Sequence, residues 1–262
     1  MFERLRKMLS SDVSEDKSGD LLKRWSEDQV DGHAVEAFEP TAEAPAGVVL
    51  FLHGHGKVRL RENQIFTQLF EAAGLIAVCP DGGRSWWLDL VCDDFDAARS
   101  PQEWILESLV PWIETRWNIV PPQIALLGVS MGGQGVQQLS YRHPRTFPVV
   151  AAVSPAIDFH QLYGQNLPLD VMFETQEDAR QATVVLNLNP LNWPRYQWFC
   201  CDPDDTDWFD GCARLGMKLS SSGIMHERDL ETRSGGHSWE YFNRMAPAAM
   251  EHIVQGLESV GE

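Results

Sequence analysis

No apolar run in the 262-residue chain approaches the roughly 20 residues that a membrane-spanning helix requires. No membrane partner is expected on that ground. Cysteine is too sparse and too irregular for a disulfide framework. There are five, an odd number, two of them adjacent, and none sits in a CxxC pair of the kind that holds zinc. Cys79 in "IAVCP" and Cys200–Cys201 in "WFCC" end apolar runs, where buried free thiols are expected. Positive charge is also scarce. Lys and Arg number 21 against 38 Asp and Glu, giving a formal net charge of −17. No Lys/Arg cluster stands out as a basic face, so no nucleic-acid partner is expected. The deficit also argues against a strongly anionic substrate, unless one local pocket defies the net charge. The opening "MFERLRKMLSSDVSEDKSGD" is too charged for a secretory signal peptide, and the expected location is cytoplasmic.

What remains is ordinary globular material. Hydrophobic residues make up 44% and charged residues 23%, and the length suits one large α/β domain. Residues 1–32 are charged and weakly periodic, with Phe2, Leu5 and Leu9 spaced to line one face of a short helix, and read as an N-terminal arm, helical or partly disordered, either a docking or homodimer arm or a frayed end. The domain is expected over 33–262. From residue 47 strands and helices alternate. "GVVLFLH" (47–53), "LIAVCP" (75–80), "QIALLGVS" (123–130), "PVVAAVS" (148–154), "QWFCC" (197–201) and "MHERDLET" (225–232) read as strands. Helices are expected over 62–74, 101–117, 131–143, 210–223 and 237–259, with Pro111 kinking or ending the second one early. This rhythm predicts an α/β fold, with a mostly parallel central sheet and helices on both faces. Residues 155–195 break it and read as a lid-like excursion over the sheet edge.

The most informative stretch is "LLGVSMGGQG" (126–135), one serine among four glycines after an apolar run. A strand that turns sharply into a helix forces its middle residue into a strained conformation. Side chains two positions to either side would collide, so glycines are required at 128 and 132. Such a turn projects the Ser130 hydroxyl at the carboxyl edge of the sheet, beside the helix N-terminus. No Lys follows the glycines, which removes a phosphate-loop reading.

A serine hydroxyl needs a base, and the base needs a group to orient it. Of the histidines after Ser130, His143, His160, His226 and His252 read as surface or packing residues. His237, in "SGGHSWEYF" between the last strand and the last helix, is the expected base. The acid is expected in "CDPDDTDWFD" after strand 197–201. Asp205 leaves room for the turn, with Asp204 and Asp207 as alternatives and the remaining aspartates read as solvated or caps. The oxyanion donors are expected to be the backbone N–H groups of Met131 and of His55 in "HGHGK", with His53 supporting that loop. A His-x-His metal pair is the rival for "HGHG", but no third ligand cluster follows and no metal is expected. Trp86 and Trp87, in "DGGRSWWLD", and Trp239, beside His237, are candidates to wall a substrate pocket.

With "LFLHGHG", "LLGVSMGGQG", "DPDD" ahead of a helix and "GGHSWEYF" in place, residues 47–259 resemble the α/β-hydrolase superfamily. Within it they resemble the putative-esterase group of esterase D and S-formylglutathione hydrolase. The resemblance implies hydrolysis of carboxylic esters or thioesters through an acyl-enzyme without a cofactor, with Ser130 as nucleophile, His237 as base and Asp205 as acid. The "LHGHG" loop is closer to general esterases than to formylglutathione hydrolases. The function expected is a serine carboxylesterase of small esters. The alternatives are a thioesterase or acyltransferase on the same triad, or a non-catalytic binding module on the same fold.

Overall fold

The computed structural model describes residues 21–261. Among them, eight strands form one sheet in the order β1-β2-β4-β3-β5-β6-β7-β8. The strands are β1 (Trp25–Val30), β2 (His33–Phe38), β3 (Val48–Leu52), β4 (Ile76–Pro80), β5 (Ile124–Val129), β6 (Val149–Val153), β7 (Tyr196–Cys200) and β8 (Glu227–Asp229). All pairings from β4 to β8 across the sheet are parallel, while β1–β2 and β2–β4 are antiparallel. This is the mostly parallel sheet expected from the alternation, as the α/β-hydrolase resemblance also implies. The parallel strands β3 to β6 are buried along their whole length, as continuous apolar runs require when both faces are covered.

Two apolar clusters cover the two faces. One packs α1 (Gln64–Ala73) and α8 (Trp239–Val260) through Phe66, Phe70, Met245 and Ile253. The other holds α2 (Pro101–Trp104) and α3 (Val110–Trp117), with α4 (Met131–Arg142) and α7 (Phe209–Ser221), through Trp104, Ile113, Leu139 and Leu215. Helix starts follow local chemistry. The Asn63 side chain accepts from Phe66 N–H, Ser100 from Glu103 N–H and Ser238 from Tyr241 N–H, each filling an otherwise unpaired donor. The excursion over 155–195 carries only short helices, including α5 (Leu169–Met172) and α6 (Gln176–Gln181). Among the described residues no helix is long and apolar enough to cross a membrane.

Two expectations need correction. The segment 1–32 was read as an arm outside the domain, yet Trp25–Val30 is a sheet strand paired along its length with β2. The turn between them is Asp31-Gly32, both at positive φ (50° and 89°), the two-residue hairpin turn that matches strand twist. Residues 1–20, including Phe2, Leu5 and Leu9, lie outside the described residues. The second correction concerns Pro111, which does not end the helix early. The helical path runs on from Pro101 to Trp117, because a π turn over Ile105–Leu109 precedes the proline and Val110 N–H bonds back to Ile105 O. A π turn leaves one carbonyl without an N–H partner, which suits the donor that proline lacks.

Chain order sets where a site can form. From β3 the chain goes to β4 on one side, then crosses to β5 on the other. The loops after β3 and β5 therefore part at the switch point, where open α/β sheets place their ligands.

Candidate active site

Ser130 stands between β5 and α4 with φ 56° and ψ −120°, a conformation that a non-glycine residue holds only where its surroundings fix it. Here they do. Ser130 N–H donates to Val153 O on β6, and Ser130 O accepts from Gln134 and Ala156 N–H at 3.1 and 3.0 Å. A Cβ at position 128 would overlap the Gly132 carbonyl, and one at 132 would overlap Leu52 O in β3. The two glycines are thus required by close approach of backbone, as the sequence pattern predicts.

His237 follows Gly235 and Gly236, both at positive φ, in the loop between β8 and α8. Its Nε2 lies 2.9 Å from Ser130 Oγ, and its Nδ1 lies 2.7 Å from Asp205 Oδ2. The imidazole is 27% exposed and the Asp205 carboxylate fully buried. Asp205 Oδ1 accepts from the N–H groups of Asp207 and Trp208, and the Cys201 thiol donates to Oδ2 at 3.6 Å. The structure thus brings together Ser130, His237 and Asp205. Asp204 and Asp207 are exposed, and Asp204 pairs instead with Arg233. With Nδ1–H given to Asp205, Nε2 is left to accept a proton from the serine.

Asp202 departs from its expected role as a solvated or capping residue. It is fully buried, and its carboxylate accepts from Asp204, Ser234 and Gly236 N–H, tying the acid loop to the histidine loop. Burial opposes its charge, but these three hydrogen bonds and Arg233 outweigh that and hold the Asp202 carboxyl below its ordinary pKa. Its place directly after the apolar "WFCC" was the signal for burial.

The loop after β3 lies against the nucleophile, since a Cβ on Gly54 would meet Ser130 Cβ at 3.2 Å. His53 is buried. It accepts from Gly82 N–H at Nε2, bonds Gly54 O through Nδ1 and takes the Trp87 indole N–H on its carbonyl. Both ring nitrogens are therefore engaged in bracing the loop. His55 faces the site. Burial, with Arg84 nearby, pushes its imidazole pKa down and keeps it neutral near pH 7. Its Nε2 is buried without a hydrogen-bond partner among the described residues. Met131, at the first position of α4, is fully buried.

Two cavities meet at the serine, and His55, Ser130 and His237 line both. One, of about 270 Å³, adds Val58, Trp239 and Phe242. The other, of about 550 Å³, adds Trp86, Gln161, Gln165 and Trp208. Trp86 and Trp239 are therefore wall residues. Trp87 is not among them: it is buried, with its ring closing over Gly82 and Gly135. Trp208 and Phe242, whose rings lie 6.4 and 5.2 Å from that of His237, were missed as walls. Both sit on apolar faces of helix-like stretches, where a core role reads the same. Also missed was the basic stretch "KVRLR" (57–61), whose cations alternate with apolar residues and so form no run.

The five cysteines are free and buried, and burial pushes the Cys79, Cys200 and Cys212 thiols up, which keeps them protonated.

A family model described as "Putative esterase" matches residues 35–253. A curated relative, "Diacylglycerol acyltransferase/mycolyltransferase Ag85A" of Mycobacterium tuberculosis, is 28% identical over 222 residues, covering 72% of this chain and 66% of its own length. The chain thus spans just under two thirds of that relative. Among solved structures, an S-formylglutathione hydrolase from Agrobacterium tumefaciens superimposes with a TM-score of 0.72 at 15% identity, over 89% of this chain and 94% of that one. Mycobacterium tuberculosis MPT51 (FbpC1) gives 0.71 at 16% identity, over 89% and 98%. At these identities the structural likeness is one of fold.

Proposed function

Since the chain belongs to the Putative esterase family, we propose that it is a serine carboxylesterase acting on small carboxylic esters. Ser130 Oγ attacks the ester carbonyl carbon while His237 Nε2 takes the hydroxyl proton. The negative charge moves to the carbonyl oxygen, which the N–H groups of His55 and Met131 receive, each such donor being worth roughly 10²–10³ in rate. The intermediate collapses, the alcohol leaves with the proton from His237, and an acyl-serine remains. Water then repeats the cycle, giving its proton to His237 and releasing the acid. Asp205 keeps Nδ1 protonated and stabilises the imidazolium formed at each stage.

The observation that carries this reading is the imidazole of His237 within hydrogen-bond reach of both Ser130 Oγ and the buried Asp205 carboxylate. Ser130→Ala is expected to lower kcat on p-nitrophenyl esters by about 10⁴-fold or more. A fluorophosphonate probe is expected to label Ser130. Undiminished turnover in the alanine variant would end the proposal. Five free thiols without a disulfide suit a reducing compartment, which supports a cytoplasmic site of action.

A second reading, acyl transfer to an alcohol other than water, is favoured by two cavities meeting at one serine and by the acyltransferase name of the curated relatives. One cavity would hold the acyl chain and the other the acceptor. Product analysis with a competing alcohol separates the two: transfer product growing with alcohol at constant ester consumption favours the transferase.

A further inference from the structure

The smaller active-site cavity adjoins a third one that the serine chemistry does not use. It measures about 510 Å³ and is lined by Lys57, Arg59, Arg61, Glu36, Glu62 and Trp239, among others. Val58 and Trp239 belong to both cavities, so the two are contiguous. The spacing of "KVRLR" builds this wall. Leu60 is buried in the core under Phe51 and Phe66, while the residues on either side of it, Arg59 and Arg61, face the cavity.

Cations are gathered here more densely than in the chain at large, although Asp81 and Glu27 flank them from outside the lining. Carboxylates outnumber cations 38 to 21 in the chain, whereas here three cations face two carboxylates. The cations are also poorly satisfied. Lys57 Nζ lies 3.3 Å from Asp81, Arg59 Nη2 3.5 Å from Glu36 and Arg61 Nη1 3.6 Å from Glu27. All three exceed the roughly 2.7–2.9 Å of a strong charge-assisted hydrogen bond. Arg59 Nη1 is buried with no hydrogen-bond partner among the described residues. A buried donor left unpaired is costly, and an arriving acceptor would recover that cost. Burial pushes the Glu36 carboxyl pKa up against the pull of Arg59 and Arg61.

We propose that this cavity is a subsite for a carboxylate carried on the substrate away from the scissile bond, so that the preferred esters are monoanions. The planar Arg59 fork, with Nη1 left unpaired and its contact to Glu36 long, suits the two oxygens of a carboxylate. The subsite rests on the serine-esterase reading and supplies its substrate class. It also qualifies the expectation, drawn from net charge, that anionic substrates are disfavoured.

Two matched pairs of esters test it: 4-acetoxybenzoate against its methyl ester, and the 4-nitrophenyl monoester of adipate against 4-nitrophenyl hexanoate. In at least one pair the anion is expected to show kcat/KM about tenfold or more above its neutral match at low ionic strength, shrinking as added salt screens the charges. The anion-to-neutral ratio is expected to fall towards one in Arg59→Gln. It should fall likewise in the double variant Lys57→Gln/Arg61→Gln, which changes two more exposed side chains. Equal or inverted preference in both pairs, or a ratio unmoved by both variants, would overturn the subsite. Calorimetric titration of the Ser130→Ala protein with the same esters reads binding without turnover. Tighter binding of an anion, lost in the double variant, supports the subsite, and indifference to charge overturns it. Failure of the esterase reading is seen separately, as absence of Ser130-dependent turnover of all four esters.

Discussion

The turn after β5 and the loop after β7 each deliver one partner to the same imidazole, and they are held in opposite ways. At Ser130 the chain is fixed by the atoms it leaves out: backbone from β3 and α4 fills the space where side chains at 128 and 132 would stand. At Asp205 it is fixed by the bonds it makes, with N–H groups of Asp207 and Trp208 on one carboxylate oxygen and His237 and Cys201 on the other. Three residues earlier in the loop, beyond Pro203 and Asp204, the Asp202 carboxylate binds the histidine loop. A steric lock tolerates no change and needs no solvent condition. A hydrogen-bonded lock tolerates partial loss and depends on charge.

Substitutions should separate the two kinds of lock. Gly132→Ala drives a methyl into the Leu52 carbonyl, which cannot move without breaking the β3–β5 pairing. We expect a loss of about 3 kcal/mol or more of stability and of all ester turnover, read by thermal unfolding and by assay. Asp205→Asn keeps the shape of its loop but offers the wrong tautomer to His237, and should lower kcat by about 10⁴-fold with little change in Tm. Asp204→Asn and Asp207→Asn, both on exposed carboxylates, should leave kcat near that of the native chain; a collapse in either would transfer the acid role.

Asp202→Asn should cost about 1–3 kcal/mol, since three N–H donors lose a charged acceptor, with a moderate fall in kcat as the histidine loop loosens. The sign of its pH dependence follows from a carboxyl held below its ordinary range in the folded state. Its contribution is fully present above the unfolded value of about 3.9 and is lost as pH falls from there through the lowered folded value. The native chain should therefore lose Tm on acidification below about pH 4 more steeply than Asp202→Asn does. Cys201→Ala should have the smallest effect, about 1 kcal/mol or less on the transition state for the loss of one weak thiol contact. Cys201→Ser should recover activity if the contact itself matters.

The same contrast governs what the sequence could reveal. A steric lock is written in residue type: only glycine fits at 128 and 132, so the nucleophile and its strand-turn-helix setting were legible. A hydrogen-bonded lock is written in geometry. Five aspartates in "CDPDDTDWFD" are chemically equal on paper, and only the place of Asp202 directly after "WFCC" sets that buried residue apart from the exposed Asp207. The parallel strands were legible because both faces are covered and they read as apolar runs. β1 and β2 were not, because "WSEDQV" and "HAVEAF" mix charge into half-covered strands, although the Asp-Gly between them was a usable hairpin signal. The cavity lined by Lys57, Arg59 and Arg61 escaped because its cations alternate with apolar residues rather than forming a run.

The rims of the sheet carry a consequence of their own. At one end β8 is only three residues long, Glu-Arg-Asp, with Glu227 and Arg228 exposed. At the other, β1 carries Glu27 and Asp28. Ionised borders, one of them only three residues long, offer a foreign backbone few places to zip on. Two molecules of this chain meeting in solution should therefore come together through helices, leaving the platform beneath the serine eight strands wide.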